Sequence, residues 1–76
     1  MSIYITIEVE EEKIDIGIDK EQKIGQVIGI LKETGKLVSK TKPTYFRSLL
    51  NQKLVCVGKT FEEEGIYDGD TLKVVN

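Results

Sequence analysis

Gly58-Lys59-Thr60-Phe61-Glu62-Glu63-Glu64-Gly65-Ile66-Tyr67-Asp68-Gly69-Asp70-Thr71-Leu72-Lys73-Val74-Val75 reads in order as turn, short helical turn, tight turn and final strand. Thr60, followed by Glu63 one turn later, has the pattern of a capping box, in which hydroxyl and carboxylate satisfy backbone N–H groups that a helix start leaves open. Gly65 stops that helix after a single turn. Asp68-Gly69 accepts positive φ and reverses the chain into the apolar alternation of Leu72 and Val74.

Working outward to the other end, Ile3, Ile5, Ile7 and Val9 alternate with Tyr4, Thr6 and Glu8, the period-two pattern of a half-buried strand. Glu10-Glu11-Glu12-Lys13 is a polar break, expected as a solvated hairpin tip, and Ile14, Ile16 and Ile18 resume the alternation. From about Glu21 the period changes: Ile24, Val27, Ile28 and Leu31 fall on one helix face. Asp19 with Gln22 is the expected cap, and Thr34-Gly35 the stop. Gly35 to Thr44, with Lys36, Lys40, Lys42 and Pro43, is expected as a solvated basic loop. Tyr45 to Leu50 is the third strand, Asn51-Gln52 a turn, and Lys53 to Val57 the fourth strand. This order predicts an α+β fold: a mixed five-stranded sheet with one main helix on one face and a short helical turn. The first and last strands then lie parallel at its centre. The chain is expected to form one domain, 1–76.

Composition narrows the function classes. With 76 residues, the chain has room for one modest core, burying about 60% of the surface its unfolded form exposes. Eleven basic and 13 acidic residues leave a net charge of −2, without the basic stripe that nucleic-acid binding needs. A lone cysteine, Cys56, excludes an internal disulfide and suits a reducing compartment, so a cytoplasmic location is expected. The start carries no signal-peptide pattern, and no stretch approaches the ~20 apolar residues of a membrane span. No direct membrane insertion is expected.

Catalysis has little to rest on. There is no histidine, and Cys56, between Val55 and Val57, reads as a small residue in or beside the core. Gly58-Lys59-Thr60 matches the end of a phosphate-binding loop, but the glycine such a loop needs further upstream is Lys53. Asp68, Asp70 and the Glu62 to Glu64 run lack the ~12-residue ligand spacing of a calcium loop. The expectation is a chain that is not an enzyme, with no cofactor, no metal and no small-molecule substrate. Gly25 and Gly29 within the helix each cost roughly 1 kcal/mol against alanine. Close packing of the helix explains them better than a groove for a partner helix.

The final segment resembles the closing third of a ubiquitin-type β-grasp fold. The whole chain resembles the small ubiquitin-like proteins of type VII (WXG100, ESX-like) secretion systems of Gram-positive bacteria. The likeness is carried by Tyr4-Ile5-Thr6-Ile7, by Arg47-Ser48-Leu49-Leu50-Asn51-Gln52-Lys53, and by Gly65-Ile66-Tyr67-Asp68-Gly69-Asp70-Thr71-Leu72. It implies a non-conjugated accessory or adaptor that works by protein contact and meets a component or substrate of the secretion machine. A related fold occurs as a domain of a membrane component in some such systems. Ubiquitin and the sulfur carriers finish in a flexible Gly-Gly tail for adenylation, whereas here the strand is expected to run to Val75 with Asn76 beyond it.

Ubiquitin meets its receptors through the sheet face away from the helix. Aligning this chain on ubiquitin from the capping box places Leu49 and Val75 at two receptor-contacting apolar positions, with Arg47 and Lys73 flanking and Thr6 alongside. This arrangement leaves Phe46 and Leu50 in the core. The other parity would put Leu49 inward and Ser48 outward. The acidic tip, Glu8 and Glu10 to Glu12, departs from the basic surface of ubiquitin and argues against ubiquitin receptors. Two other classes stand beside the adaptor: a conjugated modifier or sulfur carrier, and a ubiquitin-like regulatory domain of another bacterial complex.

Overall fold

The computed structural model describes residues 2–40 and 42–75; Met1, Thr41 of the basic loop and Asn76 lie outside the described residues. Five strands and one helix follow in the order β1 (Ser2–Val9), β2 (Glu12–Asp19), α1 (Ile24–Glu33), β3 (Tyr45–Ser48), β4 (Lys53–Cys56) and β5 (Thr71–Val75). The sheet order is β2-β1-β5-β3-β4. β1 and β5 run parallel at the centre, with Thr6 opposite Thr71, and the other pairs are antiparallel. This is the expected mixed sheet.

The period-two residues Ile3, Ile5, Ile7 and Val9 turn inward and meet Ile24, Val27, Ile28 and Leu31 of α1, together with Phe46, Val55, Phe61, Ile66 and Leu72. Leu37 joins them at 2% exposure, so the basic loop is not wholly solvated: it inserts one apolar anchor. The acidic tip is also structural in part. Glu12 accepts the N–H groups of Val38 and Ser39, each at 2.9 Å, which holds that loop against the hairpin.

The start of α1 and the end of β3 differ from expectation. Asp19 and Gln22 form a turn ahead of the helix, Gln22 Oε1 accepting Asp19 N–H at 3.1 Å, and α1 begins only at Ile24 after Lys23. β3 ends at Ser48 instead of Leu50, and Leu50 is 58% exposed instead of buried. The turn that follows carries Leu50 out of the sheet. After Thr60 the expected single turn forms with both capping bonds: Glu63 Oε1 accepts Thr60 N–H at 2.9 Å, and Thr60 Oγ1 accepts Glu63 N–H at 3.0 Å. Those bonds to Thr60 hold the Glu63 carboxyl below its ordinary value. Gly65 closes the turn at φ 68°.

The two helix glycines serve different ends. A Cβ on Gly25 would stand 3.1 Å from the carbonyl oxygen of Val57, which accepts the Gly25 N–H at 2.8 Å; a Cβ on Gly29 would meet nothing within 4 Å. Close packing therefore accounts for Gly25 alone. Gly29→Ala is expected to stabilise the fold by about 1 kcal/mol through helix propensity. Gly25→Ala forfeits that gain to backbone crowding, and chemical denaturation of both variants separates the two.

Candidate functional site: the outer face of the sheet

The sheet face opposite α1 carries the side chains out of phase with the core. On β3 these are Tyr45 and Arg47, on β5 Thr71, Lys73 and Val75, on β4 Leu54 and Cys56, and on β1 Tyr4, Thr6 and Glu8. Arg47 lies directly across from Lys73 on one side and Leu54 on the other, while Glu8 faces Lys73 across the parallel pair. Tyr45 lies between Val75 and Cys56. Tyr45, Leu49, Leu54 and Val75 are exposed at 47, 44, 52 and 40%.

The parity that puts Leu49 outside is the one observed, and it buries Ser48. Ser48 Oγ donates to Asp70 Oδ2, and Asp70 Oδ1 accepts the N–H groups of Leu50 at 3.0 Å and Thr71 at 2.7 Å. Asp70 is 1% exposed, so this carboxylate is a buried hub joining the end of β3, the turn after it and the start of β5. Asp68 serves differently: its Oδ1 accepts Tyr4 N–H at 2.7 Å.

The five candidate residues share this face, but they do not form one cluster. Leu49 N–H donates to Thr71 O at 3.0 Å, whereas Val75 lies opposite Tyr45. Leu49 and Val75 are therefore about 13 Å apart along β5 at ordinary strand rise, with the Arg47–Lys73 pair between them. Thr6 is taken up locally, its hydroxyl donating to Asp15 Oδ1 at 2.6 Å. Sequence reasoning missed Tyr45 and Leu54. Their signal was phase: Tyr45 alternates with the inward Phe46, and Leu54 with the inward Val55. Cys56 is half-buried on this outer face, and its N–H donates to Glu64 Oε2 at 2.6 Å.

Among solved structures, a protein designed on the basis of ubiquitin superimposes with a TM-score of 0.68 at 24% identity, covering 97% of this chain and 87% of that one. The ubiquitin of Caldiarchaeum subterraneum aligns at TM-score 0.61 and 17% identity over 100% of this chain and 96% of its own. The EccD5 ubiquitin-like domain from Mycobacterium xenopi aligns at 0.52 and 18%, over 100% and 97%. No protein-family model and no curated protein matches the sequence. The fold is the ubiquitin-like β-grasp. No helix among the described residues is long and apolar enough to cross a membrane.

Proposed function

We propose that this chain is a non-conjugated ubiquitin-like adaptor of a bacterial type VII secretion system, acting from the cytoplasmic side by protein contact through the outer sheet face. The observation that carries the contact reading is that face: exposed apolar Tyr45, Leu49, Leu54 and Val75 around the cationic Arg47 and Lys73. Exposed apolar side chains on both sides of a cationic pair can supply most of the energy of an interface while the charges set its orientation. The secretion context rests on the resemblance of the three segments quoted above. It is supported by the likeness in fold to the EccD5 domain. The partner surface that fits is apolar with acidic residues facing Arg47 and Lys73.

The test is export of WXG100-type substrates from cells lacking the chain, complemented with variants. Tyr45→Ala with Val75→Ala, and Arg47→Glu with Lys73→Glu, are expected to impair export while leaving the folded state intact. Leu49→Ala removes a surface side chain and is expected to cost less than about 1 kcal/mol. Unchanged export in the absence of the whole chain would sink the secretion assignment; normal export with both face variants would place the working surface elsewhere.

A further inference from the structure

β2 and β4 are the two edges of the sheet, and they are unlike. β4 has four residues, and of its two outward donors, the N–H groups of Leu54 and Cys56, the second is closed by the Glu64 carboxylate. β2 has eight residues. Its open groups follow from the hydrogen-bond phase. Thr6 N–H donates to Asp70 O, so even-numbered residues of β1 aim their backbone toward β5 and odd-numbered ones toward β2. Ile3, Ile5 and Ile7 pair with Ile18, Ile16 and Ile14. Lys13, Asp15 and Gly17 are thereby left with N–H and C=O directed away from the sheet. Asp19 is not open, since its C=O and N–H are both bonded to Gln22.

We infer that this edge pairs antiparallel with the same edge of a second copy of the chain, about a two-fold axis at Ile14. At that register Lys13 of each copy lies opposite Asp15 of the other, using backbone groups that are open in both. Two opposite-charge cross-strand pairs result, and such pairs stabilise a sheet. Ile14, half-buried beside the core in the single chain, meets its own counterpart on the helix side. Other registers of the same phase are less favourable. Sliding one strand by two residues puts Asp15 against Asp15, or in the other direction Lys13 against Lys13. A further slide past the Asp15 pairing sets Asp15 against Gly17 with no opposite-charge pair and extends only to the closed Asp19. One past the Lys13 pairing relies on Glu11 of the hairpin turn. Charges on an exposed edge ordinarily keep it solitary; here their order selects one self-complementary register, the isologous contact of a two-fold dimer.

Charge reversal and cross-linking test this. The intact chain is expected to self-associate with rising concentration in sedimentation. Lys13→Glu or Asp15→Lys alone places like charges opposite at both pairs and weakens association by roughly tenfold or more. An equimolar mixture of the two variants restores it, because each supplies the sign the other lacks. In a Cys56→Ser background, Ile14→Cys is expected to yield a disulfide-linked dimer on oxidation, since directly opposed residues at such positions are about 4.5 Å apart between Cα atoms. Ile16→Cys, opposite Glu12 at this register, is not. A monomer at every concentration, no recovery on mixing, or cross-linking at residue 16 as ready as at 14 would overturn the inference.

Discussion

Asp70→Ala is expected to remove about 3–5 kcal/mol of stability, against the roughly 4–11 kcal/mol available to a domain of this size. The loss comes from donors left behind. Ser48 Oγ–H and the N–H groups of Leu50 and Thr71 all end on this carboxylate, and Ser48 Oγ in turn accepts Asn51 N–H at 3.2 Å. Each donor stranded away from water costs on the order of 1–3 kcal/mol, so a methyl group in place of the carboxylate opens the joint between β3 and β5. Asp70→Asn keeps the shape and one acceptor oxygen. Its amide oxygen can serve Leu50 and Thr71 while the amide N–H turns to the Ser48 hydroxyl, so a smaller loss, about 1–2 kcal/mol, is expected. Urea denaturation of both variants measures the ranking. An Asp70→Ala variant within about 1 kcal/mol of the parent would show that the hub is not what joins the strands.

Phe61→Ala is expected to cost about 3–5 kcal/mol. Phe61 is fully buried although it belongs to a turn. Its N–H donates to Gln22 O at 3.2 Å, next to Glu62 N–H on Lys20 O at 2.8 Å and Ile24 N–H on Lys59 O at 3.0 Å. The ring is thus the apolar anchor of a segment that laces onto the start of α1. Truncation should both open a cavity and release the first amides of the helix. Hydrogen exchange at Ile24 and Gly25 reports the second effect separately from global unfolding. If Phe61→Ala costs no more than Leu49→Ala, the turn is not anchored by this side chain.

What was legible in the sequence follows from which interactions are local. The Ile-rich alternation of β1 and β2 and the spacing of Ile24, Val27, Ile28 and Leu31 are consequences of backbone period. The structure reproduces them. The capping pair Thr60 and Glu63 and the glycine turns were legible for the same reason. Leu50 and Leu37 were misplaced because exposure at a strand end or in a loop is decided by distant chain. Leu50 leaves the sheet where the turn begins, and Leu37 reaches a core already formed. The burial of a serine inside β3 becomes intelligible only beside Asp70, 22 residues away. On the outer face, the likeness to ubiquitin put Leu49, Arg47, Lys73 and Val75 on one side of the sheet, and the strand phase agrees. The register of β3 against β5, which separates Leu49 from Val75, has no local signature.

The lacing of residues 57–62 onto the first turn of α1 also bears on how the chain reaches its fold. Ile24 and Gly25 bond to the carbonyls of Lys59 and Val57, and the central strand β1 finds its neighbour β5 at the opposite end of the sequence. During synthesis, neither the helix start nor the middle of the sheet is complete until residues 57–75 have left the ribosome. Such long sequence separation slows folding, because loop closure is met before its contacts are gained. The nascent Ile-rich hairpin waits meanwhile with its apolar face bare, and it is in that interval that the chain is most open to aggregation or to a chaperone.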